Sequence, residues 1–169
     1  VVNGSKAFIT SGMRADYITA AVRTGGEGIG GISLLLIPGD AQGLSRTPME
    51  KMGWHCSDTA MLYFDGCRVP ARFLLGQENQ GFLGIMQNFN AERLSIAALA
   101  HGLSAVCFEQ ARDYARERET FGRPLLARQV IRHKLVDMAT RILALRSTLE
   151  AITAAVDRGS HPIAEVCML

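Results

Sequence analysis

No uninterrupted apolar run in this chain approaches the ~18 residues that a membrane span needs. The longest, Ile32 to Ile37 with one serine inside, suits a buried strand. Cysteine pairing of the C-x-x-C kind is also missing: Cys56, Cys67, Cys107 and Cys167 lie far apart. That spacing excludes a zinc framework and a disulfide scaffold, and reads as reduced thiols in a cytoplasmic protein. Net charge is nearly absent at +2, which gives no field for nucleic acid or an anionic membrane. The chain opens on Val1 with no basic segment ahead of an apolar stretch, so no signal peptide is read. What is present is a globular composition. With 48% hydrophobic and 20% charged residues and a mean hydropathy of +0.12, the chain is no disordered tail. Its 169 residues suffice for one domain or two small ones.

Glycine divides the chain. Fourteen of the 17 glycines precede residue 90, which predicts a turn-rich first half and a helical second half. Charge does not divide it: residues 1–80 carry 7 basic and 7 acidic side chains, residues 81–169 carry 11 and 9, and neither part has a block of one sign. Val1–Thr10, Asp16–Arg23, Ile32–Pro38, Leu44–Pro48 and Ala60–Phe64 read as strands separated by Gly, Asp and Pro. The gaps leave no room for crossover helices, so antiparallel pairing in a small barrel or sandwich is expected.

From Ile131 the period changes. Ile131, Leu135, Met138, Ile142, Leu145, Leu149, Ile152 and Val156 step by 4 and 3 alternately, the seam of a long bundle helix. A second helix is expected from Glu92 to Arg118, with Ile96, Leu99, Leu103, Val106 and Tyr114 as its stripe. Gly122-Arg123-Pro124 separates the two, short enough for an antiparallel pair. A third helix begins near Pro162. Two stripes with nothing to complete a bundle read as a segment of something larger. The fold expected is α+β: a small antiparallel β-barrel over 1–78, then long antiparallel helices of an incomplete four-helix bundle over 79–169.

Local motifs each have a bland reading. The glycine run Gly25 to Gly31 precedes a strand rather than following one, so it reads as a hairpin loop and not a nucleotide loop. Arg112, Arg116, Arg118, Arg123 and Arg128 are interleaved with Glu109, Asp113, Glu117 and Glu119, ordinary helix-surface pairing. One or two of these arginines could still hold a pyrophosphate without a net basic field. His55, His101, His133 and His161 show no ligand spacing, and no metal site is expected. Glu92 follows Asn90, a good N-cap, and is placed in the first turn of a helix. Acids are favoured there by the macrodipole, and a carboxylate base is the alternative.

Together the motifs resemble the acyl-CoA dehydrogenase family. Val2-Asn3-Gly4-Ser5-Lys6-Ala7-Phe8-Ile9-Thr10-Ser11-Gly12 is similar to its NG-K-ITN-G strand. Lys51-Met52-Gly53, Ser57-Asp58-Thr59, Phe64-Asp65, Val69-Pro70 and Leu75-Gly76 resemble its next block. Glu92-Arg93-Leu94, Tyr114, Arg118, Phe121-Gly122 and Gln129 resemble its helical signatures, in the same order.

The resemblance implies an FAD enzyme of fatty acid metabolism, with a middle β-barrel and a C-terminal four-helix bundle, that forms homotetramers or dimers. It implies oxidation of the Cα–Cβ bond of an acyl-CoA thioester to trans-2-enoyl-CoA, with electrons passed to an electron-transfer flavoprotein. An acyl-CoA oxidase or a non-catalytic binding member of the family is the alternative.

By the same resemblance Phe8 takes the place of an aromatic, often Trp, that flanks the flavin. Phe keeps the π-face and lacks the indole N–H. Ile9 follows, and Thr10 offers its hydroxyl to the flavin edge. Arg118, Thr120, Phe121, Arg128 and Gln129 match positions that hold the ADP part of FAD, Arg128 standing for a frequent His. Ser57 corresponds to a CoA-contacting serine, and Asn90 and Arg93 to the segment lining the acyl pocket. Glu92 occupies the position at which the isovaleryl and long-chain branches carry the catalytic base, whereas most of the family carries that glutamate late in the C-terminal region, on a residue not among these 169. The family's EP-GSD, GG-G and GT-EI motifs are not among these residues, so the 169 residues alone are expected to be inactive.

Overall fold

Alternation of apolar and polar residues builds the first half. In the computed structural model, which describes residues 1–169, the chain forms two compact units, Val1–Met86 and Gln87–Leu169. The first holds β1 (Val2–Thr10), β2 (Tyr17–Arg23), β3 (Ile32–Pro38), β4 (Leu44–Pro48), β5 (Thr59–Cys67) and β6 (Leu74–Leu75). All pairings among them are antiparallel, in two three-stranded sheets ordered β1-β5-β4 and β2-β3-β6. The expected barrel is therefore not closed. β1 and β2 are edge strands of different sheets, and no ladder joins them.

Inward residues of both sheets make the core: Ile18, Ala20, Ile37, Ala60, Leu62, Phe64 and Cys67. On β5 the buried positions 60, 62 and 64 keep period two, and then Cys67 breaks it. The break is a bulge, since Gly4 faces Phe64 and Val2 faces Cys67, so one residue of β1 lies opposite two of β5. Gly66, at φ +59°, supplies the extra residue and donates its N–H to Asn3 Oδ1 at 2.7 Å. The glycine run forms the β2–β3 loop, as its position before a strand requires.

Helix α1 (Gly81–Glu117) starts eleven residues before the expected Glu92. Its start is fixed by a polar knot: Asn79 N–H donates to Ser33 Oγ at 2.7 Å, and the Thr24 hydroxyl donates to Asn79 Oδ1 at 2.8 Å. Asn90 is consequently a helix-interior residue and not an N-cap. The stripe on α1 is also corrected. Ile96 and Leu103 are 65% and 60% exposed, while Leu94, Ala97, His101, Ala105, Phe108, Ala111 and Ala115 are buried or half-buried. Both faces carry helix-compatible apolar spacing, and the inward one joins Leu94 and Phe108 to four alanines. One 18-residue window of α1 reaches a mean hydropathy of 1.2, so by length and composition this helix could cross a membrane, although no unbroken apolar run reveals it.

Between α1 and α2 (Gln129–Asp157) lie β7 (Glu119–Thr120) and β8 (Arg123–Pro124), a two-residue hairpin where a plain turn was expected. The α2 seam agrees with its sequence period. Leu135, Leu149 and Ile152 are buried, Ile131, Met138, Ile142 and Leu145 are half-buried, and only Val156 is exposed. Helix α3 (Ile163–Met168) follows Pro162, with Val166 buried.

Candidate functional site

The end of β1 is built unusually. Lys6 pairs with Leu62 and Ile9 with Ala60, so Ala7 and Phe8 together face Met61 in a second bulge. Phe8 adopts φ +58°, a left-handed backbone that bulky residues avoid, and the residue is 75% exposed. Thr10 is exposed beside it and pairs with Thr59, while Ile9 is half-buried against the core. Ser57 lies at the same end of this sheet, two residues before Thr59. Its carbonyl accepts from Lys51 Nζ at 2.5 Å. Phe8, Ile9, Thr10 and Ser57 are thus brought together in the first unit.

The second unit carries the remaining residues at two places. Glu92 and Arg93 are exposed on α1, and Asn90 is half-buried. Asn88 Nδ2 donates to Glu92 Oε1 at 2.6 Å, and Arg93 Nη1 donates to Asn90 Oδ1 at 3.2 Å. Since Glu92 sits in the fourth turn of α1, the macrodipole, which acts over the first turn, does not bear on it. Arg118 lies about 39 Å further along, at 1.5 Å per helical residue. The base candidate and the arginine-rich end are separate places on one helix.

At that end, Thr120 pairs with Arg123, leaving Phe121 at φ +51° and Gly122 at φ +71° as the two residues of a type I′ turn. Phe121 is 97% exposed. Arg128, the residue capping α2, donates Nη2 to the Thr120 carbonyl at 2.6 Å and lies over the Phe121 ring, 5.5 Å from its centroid. Leu125 N–H donates to the Arg118 carbonyl at 2.8 Å, tying Arg118 to the same hairpin, and Gln129 opens α2. All five residues meet here. Arg112 and Asp113 are instead occupied with each other: a 2.9 Å hydrogen bond lowers the Asp113 carboxyl and raises the Arg112 guanidinium.

Two surface clefts are lined by other residues. One, of 460 Å³, is walled by Arg14, Asp16, Tyr17, Asp40 and Arg46. The other, of 480 Å³, follows the β1 and β2 edges around Lys6, whose Nζ donates to the Ala21 carbonyl at 2.7 Å. No group of three or more His, Cys, Asp and Glu side chains forms a metal site.

The acyl-CoA dehydrogenase middle-domain profile matches residues 1–67, and the C-terminal-domain profile matches residues 79–169. This chain belongs to the acyl-CoA dehydrogenase family. It is 42% identical over 162 residues to the cyclohexane-1-carbonyl-CoA dehydrogenase of Geobacter metallireducens, covering 95% of this chain and 43% of that protein. The crystal structure of an acyl-CoA dehydrogenase from Geobacillus kaustophilus superposes with a TM-score of 0.95 at 36% identity, over 99% of this chain and 45% of that one. A structure of the electron transferring flavoprotein of Acidaminococcus fermentans matches with a TM-score of 0.91 at 34% identity, over 98% and 44%. The chain spans about two fifths of the length of the curated relatives it matches, 35% of one and 43% of another.

Relatives in the family depend on FAD. The donor set present here fits a flavin: an aromatic face held out by a strained bulge, a hydroxyl two residues on, and elsewhere an arginine-rich hairpin with an exposed ring. Sequence reasoning missed Asp58, Arg46 and Asn88. Asp58 stands inside the Ser57-Asp58-Thr59 motif, but its contacts with the Met13 N–H and Arg14 depend on a turn conformation that no spacing reveals.

Proposed function

We propose that this chain supplies the flavin-contacting strand, the base and the ADP-binding hairpin for FAD-dependent α,β-dehydrogenation of an acyl-CoA thioester to trans-2-enoyl-CoA. The observation that carries the reading is Phe8, an exposed aromatic held at φ +58° beside Thr10. A bulky residue costs about 1–2 kcal/mol in that backbone, and such strain gathers at ligand clamps. FAD, when bound, supplies the hydride acceptor for the substrate Cβ, which no protein side chain can provide. Glu92 takes the α-proton: Asn88 holds its Oε1, leaving Oε2 to reach the substrate. Phe8 packs on the flavin face and Thr10 bonds its edge. Ser57 contacts CoA, and Asn90 and Arg93 line the acyl pocket. Arg118, Thr120, Phe121, Arg128 and Gln129 hold the ADP part of FAD.

Electrons would then pass to an electron-transfer flavoprotein, a reading supported by the flavoprotein neighbour, and the enzyme would be a homo-oligomer, as the family resemblance implies. We keep the domain boundary between residues 78 and 79; a helical-domain match that starts at residue 79 supports it, and the compact units divide after Met86. We keep the 169 residues, about two fifths of the length of their relatives, as inactive on their own.

In an enzyme of full family length, Glu92→Gln should abolish exchange of the substrate α-proton while FAD stays bound, a loss of roughly 10²–10⁴-fold for a general base. Retained turnover would exclude Glu92 as the base. Flavin bleaching by acyl-CoAs of graded length tests the activity itself and reports the preferred chain. The 169-residue chain mixed with FAD and an electron acceptor should oxidise no acyl-CoA.

A further inference from the structure

The turn from Ser11 to Ala15, directly after Thr10, is gripped by two side chains distant in sequence. Asp58 Oδ2 accepts the Met13 N–H at 2.7 Å, its Oδ1 pairs with Arg14 Nε at 3.1 Å, and its carbonyl accepts the Ser11 N–H at 3.0 Å. Arg46 donates Nη1 to the carbonyls of Gly12 and Met13, at 3.0 and 2.9 Å, and Nη2 to that of Ala15 at 3.1 Å. Arg46 also donates to the Gly39 carbonyl, which ties the turn to the end of β3.

Surface turns ordinarily hold themselves with one or two bonds of their own. This turn is over-determined, and the reason lies in its neighbours. Phe8 and Ser11 have φ of +58° and +55°, so Ile9 and Thr10 are bracketed by two residues in a backbone region they disfavour. Such a conformation persists only where surrounding contacts impose it. Asp58 supplies acceptors for N–H groups and Arg46 supplies donors for carbonyls, so the pair fixes both kinds of backbone group on one turn.

We infer that Asp58 and Arg46 are positioning residues for the cofactor: they lock the Ser11–Ala15 turn so that Phe8 and Thr10 present their ring and hydroxyl to the flavin in one geometry. The inference rests on the proposed flavin contact of Phe8 and Thr10, and it adds residues that touch no cofactor themselves. Asp58 needs its charge for Arg14 and its shape for Met13, so Asn retains one role and Ala neither.

The test uses the full-length holoenzyme and reads FAD affinity by fluorescence titration, together with the absorption band of the bound flavin. Asp58→Ala should weaken FAD about tenfold and displace the band, and Asp58→Asn should weaken it about threefold, because supporting hydrogen bonds set how well a site is preorganised. Ile37→Val, which loosens the core of the same unit, should lower the denaturation midpoint and leave affinity and band unchanged. If Asp58→Ala does not fold, the Asn variant alone decides, with amide exchange at Met13 as its second readout. Wild-type affinity and band in the Asp58 variants, with Phe8→Ala weakened, would overturn the positioning role alone. Wild-type behaviour in Phe8→Ala as well would overturn the flavin contact. Equal losses in Ile37→Val would make the effect one of general stability and overturn the inference.

Discussion

The Arg128 guanidinium lies over the Phe121 ring, 5.5 Å from its centroid, and the same side chain bonds the Thr120 carbonyl at 2.6 Å. One arginine thus supports both the ring and the backbone of a hairpin whose two central residues have positive φ. Gly122 tolerates φ +71° without cost, whereas Phe121 at φ +51° does not. Gly122→Ala should therefore destabilise the hairpin by about 1 kcal/mol. Amide exchange at Leu125, whose N–H bonds the Arg118 carbonyl across the hairpin, should rise about fivefold if exchange tracks local opening. Unchanged exchange would show that the turn does not hold the hairpin.

Asn88 bonds Glu92 Oε1 at 2.6 Å from one turn away on α1. An amide donor to a carboxylate at this exposed spacing orients it more than it stabilises the helix. In the full-length enzyme, Asn88→Ala should lower kcat several-fold, about 1 kcal/mol in the proton-transfer barrier, with KM and FAD content unchanged. Steady-state kinetics decides, and Asn88→Gln, whose amide can still donate, should recover part of the loss. A change confined to KM would move Asn88 from orienting the base to binding substrate.

Sequence period carried the fold where one face was unambiguous. On α2 the residues from Ile131 to Leu149 repeat by 4 and 3 with charges between them, and the structure buries that seam. On α1 the same rule chose the wrong face. Ile96, Leu99, Leu103 and Val106 are more apolar than Ala97, Ala105, Ala111 and Ala115, yet small residues are the ones that close approach selects. The helix start was missed for a related reason. Gly81, Gly84, Asn88 and Asn90 are weak helix formers, so local propensity favoured a later start, and the Thr24–Ser33–Asn79 knot overrode it. Motif order gathered the residues of the site, but Phe8's left-handed backbone and the Asp58 and Arg46 contacts are tertiary. No window of sequence contains them.

Cys67 separates from the other thiols. It is fully buried in the core of the first unit, and burial raises its thiol above the ordinary range. Cys56, Cys107 and Cys167 are exposed. Alkylation of the native chain near pH 8 should modify those three and spare Cys67, which should react only in denaturant, as intact-mass measurement would show. The sign for stability follows from the raised value. The neutral buried thiol is favoured below its unfolded pKa, and that contribution is lost as pH rises through the folded one, so the first unit should weaken toward alkaline pH and Cys67→Ser should alter that limb.

Two glycines of α1 make opposite predictions from one substitution. At Gly102 an added Cβ meets nothing within 4 Å, so Gly102→Ala should gain the usual helix-propensity difference, about 1 kcal/mol. At Gly81 the added Cβ would stand 2.7 Å from the Ser33 carbonyl carbon and 2.8 Å from the Leu34 nitrogen, both backbone atoms of β3. Strand backbone in a ladder with β2 and β6 cannot yield as a side-chain end can. The overlap should cost about 1–3 kcal/mol and outweigh the propensity gain, so Gly81→Ala should lower the urea midpoint that Gly102→Ala raises. A stabilised Gly81→Ala would mean that α1 starts later than Gly81 in solution, with the Asn79 knot open.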